Sequence, residues 1–220
     1  MYSITPFTLL DYPNKTACVL WFAGCNMRCV YCYNPDIVLG RGKIDFNEVI
    51  LFLQKRKLLL DGVVFSGGEC TIHKGIELYL EKIKQMGFAV KIDTNGSSPS
   101  VIKKLLNRRL IDYVALDFKS TKNNFAAITN SKLFNNFNET LDILNASQIP
   151  FEVRSTIHSE LLSTEDIQLM LNFLERKKYN GTYYLQQFVN DTETLGNLSS
   201  SKKLLIQNIK VRNIKVELRD

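Results

Sequence analysis

The sequence predicts an α/β protein whose sheet is a partial, open, parallel (β/α)6 barrel. Three observations lead there. Six short apolar, β-branched runs recur along the chain with helical stretches between them. Most of these runs are near-continuously apolar, the pattern of strands buried on both faces. Six strand–helix units are too few for a closed eight-stranded barrel, and a side chain or glycine suited to chemistry stands at or near the end of each run.

The expected strands, in order, are Ala17–Phe22, Gly62–Ser66, Phe88–Asp93, Tyr113–Phe118, Phe151–Ile157 and Thr182–Gln187. Helices are expected near 45–57, 73–86, 98–109, 136–147 and 164–178. Asp45-Phe46-Asn47-Glu48 has the form of a capping box, and Ser163-Thr164-Glu165-Asp166 marks another helix start. A final helix near 200–210 would lead to a last strand, Asn213–Leu218. The Asn-rich stretch 120–136 reads as a mobile surface segment. With no internal repeat, low-complexity tract or Pro/Gly linker, residues 1–220 are expected to form a single domain.

Composition narrows the class of function. At 45% hydrophobic and 23% charged residues, the chain is an ordinary globular protein with a sizeable core. The N-terminus lacks a basic region followed by an apolar run, and no apolar stretch approaches the roughly 18 residues needed to cross a bilayer. A soluble cytoplasmic protein with no membrane partner is expected. Five cysteines, three of them in one short window, suit a reducing compartment and a metal site better than a disulfide framework. The net charge of +6 comes from clusters such as Lys55-Arg56-Lys57 and Arg176-Lys177-Lys178. These suit solvated helix faces and helix C-termini. No nucleic-acid motif accompanies them, so no nucleic-acid partner is expected.

The chemistry concentrates in Cys25-Asn26-Met27-Arg28-Cys29-Val30-Tyr31-Cys32, a C-x3-C-x2-C spacing. Three thiolates can hold three irons of a four-iron cube and leave the fourth iron open to a substrate or cofactor. The competing reading is zinc. Structural zinc takes four Cys/His ligands in two pairs, and the available fourth ligands, Cys18, Cys70, His73 and His158, are all unpaired in sequence. The other strand ends carry Ser66-Gly67-Gly68-Glu69, Asp93-Thr94-Asn95-Gly96, Asp117-Phe118-Lys119, Arg154 within the fifth strand, and Gln186-Gln187. Together they describe one polar face. A charge such as Arg154 inside a strand is costly unless paired, so it is expected either to bind a ligand or to form an ion pair with Asp or Glu. His73 and His158 read as structural or surface residues, and Trp21 and Phe22 as core.

The cysteine loop, with its aromatic residue before the last cysteine, and the Gly-Gly-Glu motif resemble the signature of the radical S-adenosylmethionine (SAM) superfamily. The resemblance implies a partial barrel of the radical SAM type. It implies a [4Fe-4S] cluster on Cys25, Cys29 and Cys32, with SAM chelated at the open iron. One-electron cleavage of the sulfonium would give a 5′-deoxyadenosyl radical that takes a hydrogen atom from the substrate. By the same resemblance Tyr31 lies near the adenine, and Gly67, Gly68 and Glu69 receive the SAM amino group.

A closer resemblance, carried by Leu10-Asp11-Tyr12-Pro13, Cys32-Tyr33-Asn34-Pro35, Asp93-Thr94-Asn95-Gly96 and Tyr184-Leu185-Gln186-Gln187-Phe188, is to the short activating proteins of anaerobic ribonucleoside-triphosphate reductase. These belong to the glycyl-radical-enzyme activases. That resemblance implies a protein partner, a glycyl radical enzyme, and a flavodoxin or ferredoxin electron donor. It implies that Asp93, Thr94 and Asp117 hold a monovalent cation beside the SAM carboxylate, and that Lys119 and Arg154 contact SAM or the incoming peptide. Asn95 and Gln186 are expected to line the same cofactor pocket. Two other functions fit the sequence: a radical SAM enzyme acting on a small molecule, as carboxy-deazaguanine synthase does, and a non-catalytic iron–sulfur or SAM-binding module. The chain departs from the pattern at two places. Cys70 follows the Gly-Gly-Glu motif where proline is usual, and reads as a neutral filler. Tyr33 stands where many relatives carry His. Two spare cysteines cannot build a second, ferredoxin-like domain, so one cluster is expected.

Overall fold

The structure is a computed structural model that describes residues 1–203, 209 and 213–219. It is a mixed α/β fold with a mostly parallel sheet whose strand order follows the chain, β1 to β8. The strands are β1 (Ser3–Thr8), β2 (Ala17–Phe22), β3 (Gly62–Gly67), β4 (Ala89–Thr94), β5 (Tyr113–Asp117), β6 (Phe151–Ile157), β7 (Thr182–Gln187) and β8 (Lys215–Arg219). The chain divides into two compact units, Met1–Asn26 with Asn34–Thr94 and Ser98–Ala115, and Met27–Tyr33 with Asn95–Ser97 and Leu116–Asp220.

In the first unit β2, β3 and β4 run parallel. Ala17 faces Gly62 and Phe22 faces Gly67 between β2 and β3, and Gly62 faces Ala89 between β3 and β4. Val19, Leu20, Val63, Val64, Phe65, Val90 and Ile92 are all buried. This is what a strand covered on both faces requires, and why alternation is weak here. Helices α1 (Pro35–Leu39), α2 (Phe46–Gln54), α3 (Ile76–Gln85) and α4 (Pro99–Asn107) belong to this unit. The capping box at Asp45 is present: Asn47 N–H donates to its carboxylate (2.8 Å), while Asp45 N–H donates to Glu48 (3.0 Å). The strand β1 has no alternation and contains Pro6. It pairs antiparallel with β2, and the register slips between Thr5 and Thr8, where the proline falls. The helix expected from 73 starts later, at Ile76. Gly75 precedes it with φ +82°, outside the helical region, after a short 3-10 turn, Cys70–Ile72.

The second unit pairs β6, β7 and β8 in parallel, with Val153 opposite Tyr183 and Gln186 opposite Arg219. Its helices are α5 (Lys122–Thr129), α6 (Phe134–Asn145) and α7 (Thr164–Arg176). Ser163 and Asp166 form the second capping box. An aromatic core joins these helices to the strands: Phe118 stacks on Phe137 (4.8 Å between centroids) and meets Phe173 (5.4 Å), and Phe134 packs edge-on against Phe125 and Phe173. The stretch 120–136 is therefore not an irregular segment but α5 and the start of α6. Phe125 and Ile128, three residues apart, give α5 a buried face, and Asn130 closes it in the left-handed conformation (φ 49°). Polar composition hid these two anchors. The helix expected near 200–210 lies largely outside the described residues; residues 200–203 are irregular. Among the described residues, no helix is long and apolar enough to cross a membrane.

Candidate active site

In the first unit, the loop after β2 and the loop after β3 interlock through backbone. Gly24 turns the chain with φ +83°. Its carbonyl accepts from Glu69 N–H (3.0 Å), and Gly68 N–H donates to the Phe22 carbonyl (2.8 Å). A Cβ on Gly68 would stand 1.9 Å from the Gly24 oxygen, and one on Gly67 (φ +112°) 2.5 Å from Phe22 N. Only glycine lets the Gly-Gly-Glu backbone lie against the base of the cysteine loop. Glu69 is 0% exposed. Its Oε1 accepts from Thr71 N–H (3.0 Å), the Thr71 hydroxyl (2.5 Å) and the Thr94 hydroxyl (2.9 Å). These donors orient the carboxylate, and a buried anion so held attracts an ammonium group. Asp93 accepts from Ser66 Oγ (2.9 Å) and Lys91 Nζ (2.5 Å). Cys70 is buried, its thiol directed at the Asp93 carbonyl (3.6 Å), and burial with neighbouring Glu69 and Asp93 pushes its pKa well up. It fills space as a neutral thiol. Burial likewise pushes Cys18 up to about 12.

The remainder of the cysteine loop, Met27–Tyr33, lies in the second unit, where backbone bonds pin it on two sides. Arg28 and Val30 N–H donate to Thr129 and Ile128 carbonyls at the end of α5 (2.8 and 3.0 Å). On the other side, Leu195 and Gly196 N–H donate to the Cys32 and Val30 carbonyls (3.0 and 2.8 Å). Sequence reasoning missed both supports, because backbone pairing of this kind leaves no side-chain pattern; the one available signal was Gly196, where a Cβ would meet Val30 at 2.7 Å. Cys32 N–H bonds to the Cys29 carbonyl (3.0 Å), turning the last cysteine back over the loop. Tyr33 accepts from Val189 N–H (2.8 Å) and packs on Phe188. His158 is structural, as expected, held between the Ser199 carbonyl (2.9 Å) and Glu160 N–H (3.2 Å).

Tyr31 is buried, and desolvation raises its pKa against the opposing effect of the nearby Lys119 ammonium. The Lys119 ammonium stands 5.6 Å from its ring centroid. Lys119 also donates to Asp117 (3.1 Å), and Arg154 Nε donates to the other Asp117 oxygen (2.5 Å). Burial works against charge on Asp117, but Arg154 and Lys119 outweigh it and hold its pKa at about 2. Burial also works against the Lys119 cation, and Asp117 outweighs that, leaving the pKa raised. The ion pair expected as one option for Arg154 is thus formed. Asn95 is buried and accepts from Ser97 N–H (2.9 Å), while Gly96 (φ +73°) accepts from Thr140 of α6 (2.7 Å). Gln186 sits half-buried on β7 opposite Thr156.

The donor set fits a cluster with SAM. Cys25, Cys29 and Cys32 are reduced thiols, Cys25 and Cys32 half-buried. Among the described residues no three His, Cys, Asp or Glu side chains could hold one metal ion together. A cube takes each thiolate on a different iron, so its ligands do not converge on one point. The narrow Gly67-Gly68 cradle, the oriented Glu69 carboxylate and the buried Tyr31 hydroxyl, which has no geometric hydrogen-bond partner among the described residues, each suit a polar cofactor.

Comparison with known proteins agrees. The sequence profile of the radical SAM superfamily matches residues 19–174. The Methanocaldococcus jannaschii protein MJ1227, whose name places it among the glycyl-radical enzyme activating enzymes, is 32% identical over 84% of this chain and 78% of its own. The pyruvate formate-lyase-activating enzyme of Clostridium pasteurianum is 28% identical over 80% of this chain and 76% of its own. Among solved structures, Streptococcus suis SuiB bound to S-adenosylmethionine superposes with a TM-score of 0.67 at 14% identity. That likeness covers 83% of this chain and 43% of SuiB, and shows the shared fold. The sheet is the open parallel barrel of that fold, and the family's cofactors are a [4Fe-4S] cluster and SAM. The chain belongs to the radical SAM superfamily, among the enzymes related to glycyl-radical enzyme activases.

Proposed function

We propose that the protein makes a glycyl radical on a partner enzyme, and that the partner is an anaerobic ribonucleoside-triphosphate reductase. The observation that carries the site assignment is the interlock of Gly67-Gly68-Glu69 with Gly24 at the base of the cysteine loop. It ties the carboxylate suited to the SAM ammonium to the segment that begins with Cys25.

In this assignment Cys25, Cys29 and Cys32 each bind one iron. When bound, the cluster supplies the electron that cleaves SAM, which ends in abstraction of a hydrogen atom from the partner's glycine. Gly67 and Gly68 offer close backbone approach to the methionine moiety, and Glu69 binds its ammonium through a charge-assisted hydrogen bond. Tyr31, with its ring beside the Lys119 ammonium, lines the adenine side, and Asn95 and Gln186 line the pocket. Asp117 holds Arg154 and Lys119 in place, and the triad carries one net positive charge suited to the SAM carboxylate. The electron donor is a flavodoxin or ferredoxin, and the whole protein works as one cytoplasmic domain.

The test mixes the reconstituted protein with SAM, reduced flavodoxin and candidate reductases without oxygen. A glycyl-radical EPR doublet on a reductase is expected. A doublet only on a different glycyl radical enzyme would refute the reductase assignment. Cleavage of SAM stimulated by a pterin-like compound, with no protein radical, would refute the activase assignment altogether.

A further inference from the structure

The resemblance to activases implies a monovalent metal cation held by Asp93, Thr94 and Asp117, and the donor groups do not fit one. Both Asp93 oxygens are engaged: Lys91 Nζ donates to Oδ1 (2.5 Å) and Ser66 Oγ to Oδ2 (2.9 Å). The Thr94 hydroxyl is turned to Glu69. In the second unit, Asp117 is held by two cations of the chain, Lys119 and Arg154. A metal ion at either carboxylate would meet a fixed positive charge before it met an uncompensated anion.

Lys91 is one of two charged residues in β4, the other being Asp93. It lies two residues before Asp93, so strand alternation puts both side chains on one face. The Lys91 side chain is 3% exposed, and that of Asp93 9%. A lysine is almost never buried this far unless its charge is needed by a partner. Its strand neighbour across β3 is the fully buried Val64, so water offers no substitute partner.

We propose that the Lys91 ammonium is a built-in cation. It does at Asp93 what a bound Na⁺ or K⁺ would do, and the protein's cofactor site needs no monovalent metal. Because the charge is covalently tethered, its occupancy does not vary with the ionic composition of the cell. The link to the cofactor rests on the SAM assignment above; the absence of a metal site does not.

Two measurements on the full, cluster-loaded chain test the proposal. The first is direct binding of Tl⁺, a K⁺ mimic, to the protein alone. The second is SAM affinity in buffers whose cation is Na⁺, K⁺ or choline. The wild-type protein is expected to show no saturable Tl⁺ site, and SAM affinities equal within about twofold in the three buffers. Lys91→Met is expected to lose SAM affinity by about tenfold or more in choline and to regain it in Na⁺ or K⁺, while Lys91→Arg stays independent of the salt. A stoichiometric Tl⁺ site on the wild type, or a tenfold loss of its SAM affinity in choline, would overturn the proposal. So would a Lys91→Met protein that matches the wild type in all three buffers, or one whose loss no cation restores. If Lys91→Met does not fold, the wild-type measurements decide alone. If the wild type binds no SAM in any buffer, the SAM assignment falls, and the Tl⁺ measurement still decides whether Lys91 has displaced a metal.

Discussion

A Cβ on Gly68 would stand 1.9 Å from the Gly24 carbonyl oxygen, closer than any real side chain tolerates. The same oxygen accepts the Glu69 N–H, so the contact cannot be relieved without breaking a bond that positions the carboxylate. Gly68→Ala is therefore expected to cost on the order of 3 kcal/mol in denaturant unfolding, at the upper end for overpacking. SAM affinity should fall by at least about tenfold. Gly87→Ala serves as a control: it also has a positive φ (+92°), but nothing lies within 4 Å of its Cβ position. It should lose stability from backbone strain and keep SAM affinity.

Arg154, Lys119 and Asp117 make a prediction about pH. With its pKa held at about 2 in the folded state, below the ordinary 3.8, Asp117 contributes stability in its charged form. That contribution, about 2 kcal/mol, is fully present above pH 4 and is lost as pH falls toward 2. Asp117→Asn should be less stable than the wild type at pH 7, also because Lys119 and Arg154 then face each other without an anion. The difference between the two proteins should shrink as pH falls from 4 to 2, measured by urea unfolding of cluster-free protein. A difference that holds constant to pH 2 would mean that Asp117 is not ionically paired.

Four of the five cysteines should separate into two classes on alkylation. Cys18 and Cys70 are 0% exposed, and burial raises both thiols. At about 12, the Cys18 thiol provides roughly a thousandfold less thiolate at neutral pH than an ordinary one. Cys25 and Cys32 are half-buried. In cluster-free native protein, iodoacetamide should label Cys25 and Cys32 first and leave Cys18 and Cys70 unmodified until the protein unfolds. Mass spectrometry of the digested protein resolves each site. Early labelling of Cys70 would contradict its role as a buried filler of the position after Glu69.

The sequence made the central strands and the chemistry legible for a shared reason. A strand covered on both faces is apolar along its length, as β2 is, while β6 and β7 stand out by β-branched and aromatic residues; all three have the limits the sequence predicts. The groups at their ends stand out by contrast. What stayed hidden depends on contacts that local pattern does not encode. The strand β1 is specified by its pairing with β2, not by its own residues. Helix α5 is half polar, and two large apolar side chains, Phe125 and Ile128, anchor it. The role of Lys91 has no local signature, because its burial and its pairing with Asp93 exist only in the folded chain. For Arg154 the sequence leaves a ligand role and an ion pair both open, and the Asp117 partner depends on the folded arrangement of β5 and β6.

Gly196 offers the sharpest test of how the cysteine loop is held. Its N–H donates to the Val30 carbonyl, and a Cβ there would meet Val30 Cβ and O at 2.7 Å. Its neighbour Leu195 donates to the Cys32 carbonyl, so pushing the 194–196 segment away would release two of the bonds that fix the loop between its second and third cysteines. The segment carries little of the hydrophobic core, and most of the energy of folding lies elsewhere. Gly196→Val should therefore change unfolding free energy by only about 1–2 kcal/mol, the range for overpacking at a peripheral site. Iron retained after reconstitution and gel filtration should fall well below the wild-type value, and the remaining cluster should be lost faster to a chelator. Equal iron content and equal chelator resistance would show that the α5 contacts of Arg28 and Val30 hold the loop unaided.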